Sequence, residues 1–361
     1  DLSIDIIIGN NRKTQLVRAI DEFRRDHRRV KELAEDSRQP DYERLQLTRT
    51  AEHTRAFIKV QDGCNQFCSY CIIPLARGRI RSRSPKDVLK EIRGLAASGY
   101  QEVVLNGIHL SSYGMTSYNR QVASEEMAGG GRLMELVEAV AGVEGIRRIR
   151  LGSMEPRLVD RAFAERLARV EKICPHFHLS LQSGCDETLK RMNRRYTTQD
   201  FRQAVALLRE NFAHPAITTD VIVGFPQETE EEFEASRQFL EEIRFYEMHI
   251  FKYSRRRGTV ADTMPGQLDE ETKSRRSHVL LALADRMSAE FRRQEIGREA
   301  EVLMEVKEIL RGEEYWTGFT REYVRAAVKA DGRDLRNQLI RGRASGLIPG
   351  TQILQMEEVH V

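Results

Sequence analysis

Residues 63–74 read GCNQFCSYCIIP, and the three thiols Cys64, Cys68 and Cys71 fall in the spacing Cys-x3-Cys-x2-Cys just after an apolar run, AFIKV at 56–60. Thiolates are soft metal ligands, and three on one loop suit three irons of a [4Fe–4S] cluster, leaving the fourth iron without a protein ligand. An open coordination position is where a metal meets substrate. The alternative is a zinc site with a distant fourth ligand. Zinc knuckles usually pair two Cys-x2-Cys halves or add a nearby His, and neither stands here. An odd number of thiols does not close as disulfides.

Working outward, the 361 residues hold five cysteines in all, too few for a disulfide scaffold, which points to a reducing, cytoplasmic setting. The 58 basic and 55 acidic side chains leave a net charge of +3, which excludes a polybasic protein but not local contact with nucleic acid. At 40% hydrophobic and 31% charged the chain reads as globular. No apolar stretch approaches the ~18 residues a membrane span needs, so no membrane partner is expected.

From Ala56 onward, short apolar runs recur at 56–60, 102–106, 146–151, 177–181, 217–223 and 247–252. Between them lie helical patterns at 85–98, 131–141, 157–170, 186–212 with a break near Arg195, and 229–243; a long helix over 269–296 follows. Six βα units in series predict an α/β fold with a parallel sheet and helices outside, either open or a partial barrel. In both, ligands gather at the C-terminal ends of the strands, where the cysteine loop sits. Upstream, 4–9 reads as a strand and 13–23 as a helix, while 24–53 is charge-rich and reads as a linker or solvated helix. Downstream, 297–361 carries five short alternating runs with Gly turns, the pattern of a small all-β barrel. The expected units are therefore 1–23, 24–53, 54–296 and 297–361.

The cysteine spacing after the first strand of a six-fold βα repeat resembles the radical S-adenosylmethionine (SAM) enzymes. That resemblance implies a partial (βα)6 barrel whose open iron binds the amino and carboxylate groups of SAM. One electron then cleaves SAM to a 5′-deoxyadenosyl radical. The stretches VQDGCNQFCSYCIIPLARGRIRSRSP (60–85), VVLNGIHLSSYG (103–114), RLGSMEP (150–156), FHLSLQSGCDETLKRMNRRYT (177–197), TTDVIVGFPQETEEEF (218–233) and YSRRRGT (253–259) are similar to the methylthiotransferase branch. The terminal barrel resembles that branch's TRAM domain. RGRIRSR and QSGCDETLKRMNRRYT look most like the MtaB type, which implies methylthiolation at C2 of N6-threonylcarbamoyladenosine-37 in tRNA. The isopentenyladenosine type usually has Glu where Ile80 stands, and the ribosomal-protein type Gln-His where Gln182-Ser183 stand. Asn106, Ser111 and Gln227 depart from a usual Thr, Gly and Gly. The family also has an N-terminal domain whose three cysteines hold a second cluster. Residues 1–23 resemble only its end, so the expectation is that residues precede Asp1. This span is then expected to bind one cluster and cleave SAM without completing thiolation.

The resemblance implies SAM contacts at the strand ends. Asn106 and Gly107 close the second strand, Glu155 the third, and Gln182 and Ser183 the fourth. Asp220 lies within the fifth. Each also admits a bland reading as a turn or an internal hydrogen bond. Arg77, Arg79, Arg81 and Arg83 alternate, and an extended backbone would put all four on one face, able to track a phosphate backbone. Arg255 and Arg256 follow the sixth strand and add to that surface. Implied partners are the tRNA anticodon stem-loop and an external, flavodoxin-like one-electron donor. The aromatics Tyr315, Trp316, Phe319 and Tyr323 read mostly as barrel core, and His176 and His178 as core histidines. The rivals are an isopentenyladenosine or ribosomal-protein methylthiotransferase, and a zinc-stabilised RNA-binding protein without catalysis.

Overall fold

The computed structural model describes residues 3–10, 12–33, 42, 54–115 and 130–358. Its first unit is small. Strand β1 (Ile6–Ile8) leads into helix α1 (Leu16–Asp26), and β2 (Val30–Glu32) pairs parallel to β1. The boundary expected at residue 23 is thereby corrected. A three-residue strand inside a charge-rich stretch belongs to the first unit, because its backbone completes a βαβ turn that side-chain composition does not reveal. Apart from Tyr42, the rest of the expected linker to residue 53 lies outside the described residues.

The next six strands are β3 (Arg55–Asp62), β5 (Glu102–Gly107), β6 (Arg148–Leu151), β7 (His176–His178), β8 (Ala216–Val223) and β9 (Glu247–Lys252), with a two-residue β4 (Arg81–Ser82) folded back on β3. All six run parallel, with β3-β5-β6 in one sheet and β7-β8-β9 in another. Single bridges, Ile149 to Ile173 and Met154 to Leu179, join the halves into one curved wall. Helices α2 (Ile73–Ala76), α3 (Pro85–Ala97), α4 (Gly131–Ala141), α5 (Arg161–Ala168), α6 (Asp186–Arg191), α7 (Thr198–Asn211) and α8 (Glu230–Ile243) fill the connections. The break near Arg195 separates α6 from α7, where Asn193 turns at positive φ and Thr197 and Asp200 cap α7 reciprocally.

Alternation along the strands decides which side chains face where. In β8, Ile217, Val221 and Val223 join the core under the helices, so Thr218, Asp220 and Ile222 face the barrel interior. The same rule turns Phe57 and Lys59 of β3, and His249 and Phe251 of β9, inward, opposite Ile58, Met248 and their core neighbours.

Helix α9 (Glu270–Glu295) leads to the terminal module. Strands β10 (Glu299–Leu310), β11 (Glu313–Thr320), β12 (Arg325–Lys329), β13 (Leu339–Leu347) and β14 (Leu354–Glu358) close into a barrel in the order β10-β11-β12-β14-β13, all antiparallel except β12 with β14. Tyr315 and Trp316 are both buried, on opposite faces of β11: Trp316 lies in the barrel core, and Tyr315 packs outside it with Ala327, Ile348 and Ile353. Phe319 and Tyr323 instead stack on each other, and the Arg55 guanidinium lies over both rings at 4.7 and 4.8 Å.

This module seals the N-terminal end of the parallel barrel. Arg148, fully buried, reaches Glu301 at 3.0 Å and donates to the Phe319 carbonyl at 3.1 Å. Arg150 donates to the carbonyls of Thr320 and Arg321 at 3.1 and 2.8 Å. Both arginines share buried Glu102, and Arg55 pairs with Glu305 at 3.0 Å. Burial works against ionisation of Glu102, yet Arg150 and Arg148 outweigh it and hold the carboxyl below its ordinary range.

Candidate cluster and cofactor site

The opposite end of the barrel carries the cysteines. Asp62 ends β3, and Gly63 turns the chain at φ +71° so that Cys64 can donate its N–H to the Gly78 carbonyl at 3.2 Å. A Cβ at position 63 would lie 1.9 Å from the Arg79 carbonyl oxygen, so the two arms of the loop touch through a residue that has no side chain. Ser69 donates to the Met192 carbonyl at 3.0 Å, and Asn193 to the Phe67 carbonyl at 2.7 Å, so the α6–α7 turn clamps the far arm. Cys64 is buried, and Cys68 and Cys71 are partly exposed. Burial pushes the Cys64 thiol up to about 12 and raises that of Cys71, so a metal that binds there must displace protons. Arg194, half-buried, donates to Cys68 Sγ at 3.2 Å and is steadied by Tyr196. A cation on a sulfur ligand offsets the negative charge that thiolates and sulfides bring. The donor set, the loop and this cation fit a [4Fe–4S] cluster.

Beside the loop, three side chains converge. His109 Nε2 and Gln66 Nε2 lie 3.1 and 3.3 Å from Glu155 Oε2, and the Ser111 hydroxyl accepts the Glu155 backbone N–H at 2.9 Å. Burial opposes ionisation of Glu155. The His109 hydrogen bond and charge, with Arg194 and Arg157, overcome it and hold the carboxyl at about 2. A carboxylate kept charged beside the cluster loop is a ready acceptor for a cationic group. The His109 backbone is set by Gln61 Oε1, which accepts its N–H at 2.8 Å, and a side chain at Gly107 would collide with Gln61 at 2.9 Å.

Residues 58–240 match the pattern that describes the Radical SAM superfamily. The threonylcarbamoyladenosine tRNA methylthiotransferase MtaB of Bacillus subtilis is 38% identical over 328 residues, 90% of this chain and 70% of that protein. The chain belongs to the MtaB-type radical SAM methylthiotransferases. Its cofactors are accordingly a [4Fe–4S] cluster and SAM. The tRNA-2-methylthio-N(6)-dimethylallyladenosine synthase of Caldicellulosiruptor saccharolyticus is 39% identical over 258 residues, 72% of this chain and 53% of that protein. Among solved structures, the radical SAM enzyme HemN of Escherichia coli aligns with 66% of this chain and 54% of its own at a TM-score of 0.44 and 16% identity.

With a radical SAM site in view, the expected residues sort by geometry. Glu155 faces the cluster loop. Asn106 is exposed at the end of β5, where its own side chain accepts the Gly107 N–H at 2.8 Å. Gln182, at φ +72°, bridges to β8 through its backbone, donating to the Asp220 carbonyl and accepting from Ile222. Ser183 is corrected: it is fully buried, and its hydroxyl accepts the Cys185 N–H at 3.3 Å within the turn. Asp220 stands in the middle of its strand rather than at its end, beside His178 of β7. His178 therefore lines the interior instead of the core.

The arginine row is also corrected. Only Arg81 and Ser82 are extended, while Arg77 ends α2, so the four guanidinium groups share no face. Arg81 is buried against Asp62 at 2.9 Å, and Arg83 against Glu91 at 2.5 Å. Arg77 and Arg79 remain partly exposed, with Arg79 over the Phe67 ring at 4.6 Å, and Arg255 and Arg256 are exposed. Gln66 and Arg194 escaped the residue-by-residue reading. Both lie inside the quoted motifs, and nothing in a polar residue's neighbours along the chain marks it as reaching a sulfur or carboxylate brought close by folding.

Proposed function

We propose that this chain is the SAM-cleaving and tRNA-binding part of an enzyme that methylthiolates C2 of N6-threonylcarbamoyladenosine at position 37 of tRNA. The observation that carries this reading is the 38% identity to the Bacillus MtaB over 70% of that protein, joined to a clamped three-cysteine loop at the strand ends. Buried Ile80, beside the loop, adds to it, since the isopentenyladenosine type usually carries a Glu there.

Cys64, Cys68 and Cys71 would hold the cluster, which when bound supplies the electron that cleaves SAM. This chain's residues do the positioning. Arg194 balances charge at Cys68. Glu155, kept ionised by His109, accepts the amino group of SAM, and Gln66 orients the same carboxylate. Asn106, Gly107 and the Gln182 backbone line the neighbouring strand ends. Arg77, Arg79, Arg255 and Arg256 rim this mouth and contact phosphates of the anticodon stem-loop. Residues 297–361 act as a TRAM domain, 54–296 as the catalytic unit, and 1–33 as part of an N-terminal domain. A flavodoxin-like protein delivers the electron in the cytoplasm. Among the described residues, no helix is long and apolar enough to cross a membrane.

The test is anaerobic reconstitution to about four irons per chain, reduction, and addition of SAM with tRNA carrying either nucleoside. The expected result is 5′-deoxyadenosine, with tRNA containing threonylcarbamoyladenosine retained in preference to tRNA containing isopentenyladenosine. The reverse preference would overturn the substrate, and full iron without 5′-deoxyadenosine would overturn the chemistry. For RNA contact, Arg79→Ala should weaken tRNA binding and lower its salt slope by roughly 1. Arg81→Ala should instead destabilise the fold. Equal effects on the salt slope would remove Arg79 from the interface.

A further inference from the structure

On the inner wall of the parallel barrel, on strands rather than on the cysteine loop, three side chains from adjacent strands meet. His178 of β7, Asp220 of β8 and His249 of β9 bring one ligand atom each within 4.8 Å of one another. The register makes this possible. His178 is paired with Thr218 and Asp220 with His249, and alternation turns all of them to the interior.

Their details separate a metal site from an ordinary ion pair. His178 Nδ1 lies 3.0 Å from Thr218 Oγ1, which fixes the ring and leaves Nε2 on the side of Asp220. Nε2 is 3.3 Å from Asp220 Oδ2, yet it is buried and makes no hydrogen bond. A simple imidazolium–carboxylate pair would align an N–H on the oxygen. Here the nitrogen and the oxygen are neighbours without that alignment, and the His249 ring stacks alongside at 6.0 Å and 26°. Two imidazoles and one carboxylate, with one imidazole oriented by a hydroxyl behind it, form a complete inner set with its outer support. Strands, unlike loops, hold such a set rigidly.

We propose that the barrel interior binds a divalent transition-metal ion on His178, Asp220 and His249. Three protein ligands leave coordination positions turned to the interior, where an oxygen donor of a substrate, carboxylate or phosphate, completes the sphere. The site is separate from the cysteine loop and does not depend on the tRNA reading.

The test uses cluster-loaded protein, kept anaerobic, titrated calorimetrically with Zn²⁺ alone, with zinc and iron both counted after desalting. The expected result is one zinc per chain with iron unchanged. Thr218→Val should bind roughly 10–100-fold more weakly, because it removes only the orienting hydroxyl. His249→Ala and Asp220→Asn should lose at least as much. His249 is exposed, so its replacement leaves the fold intact, and near-ultraviolet circular dichroism checks the others. Three outcomes would overturn the proposal: no zinc beyond background, zinc gained only as iron is lost, or unchanged affinity in His249→Ala and Asp220→Asn.

Discussion

The two ends of the parallel barrel both bury charge, and they do so for opposite purposes. At the base, Arg148 and Arg150 are spent entirely on Glu102, Glu301 and backbone carbonyls of the terminal module. At the mouth, Glu155 is held charged by His109, Arg194 and Arg157, beside a loop of three cysteine thiols. Carboxylates paired with arginines and backbone carbonyls lock two domains, and a charged carboxylate beside three soft sulfur ligands makes a site. Ionic groups alone therefore do not distinguish structure from chemistry. The accounting of partners does.

The largest expected effect lies at the mouth. Cys68→Ala should remove cluster iron and reduce 5′-deoxyadenosine to background, with the denaturation midpoint of the terminal barrel unmoved. A shift there would mean that the ends are coupled. Second is Arg148→Ala at the base, which removes the close, buried partner of Glu301 and the side-chain donor to the Phe319 carbonyl. Breaking a buried pair costs about 3 kcal/mol, read as a lower urea midpoint, while iron per chain stays the same.

Third, Glu155 makes mouth stability depend on pH. Its folded value of about 2 lies below the ordinary carboxylate value, so its contribution is complete above the unfolded value and lost as pH falls toward 2. The loss is on the order of 3 kcal/mol, and Glu155→Gln should flatten that part of the stability profile. An unchanged profile would show the carboxylate to be no more engaged than a surface one. The smallest effect concerns Gln227, which sits at φ +64° and so carries a side chain in left-handed backbone. Gln227→Gly should raise stability by about 1 kcal/mol, visible as a modest rise in Tm with 5′-deoxyadenosine formation unaltered.

These particulars show what a sequence exposes. The six strands were legible because each is a short apolar run between helical patterns, and the cluster loop because three thiols in eight positions have few other uses. The arginine row misled because a run of charge does not disclose its partners. Asp62, 19 residues before Arg81, and Glu91, eight after Arg83, bury what local pattern marks as solvated. His178, Asp220 and His249 were scattered over 72 positions and met only through parallel register. Strand β2 was hidden by its charged surroundings.

Gly63 has a further consequence. If positions 60–85 were randomised and survivors selected for bound iron, position 63 should return glycine almost alone, although it contributes no ligand and no charge. A methyl group there meets the Arg79 carbonyl at 1.9 Å, while Gly99 and Gly312, with open space around them, meet nothing. A position with no chemistry of its own would then be held as tightly as the three cysteines, set by what has to fit between the two arms of a loop.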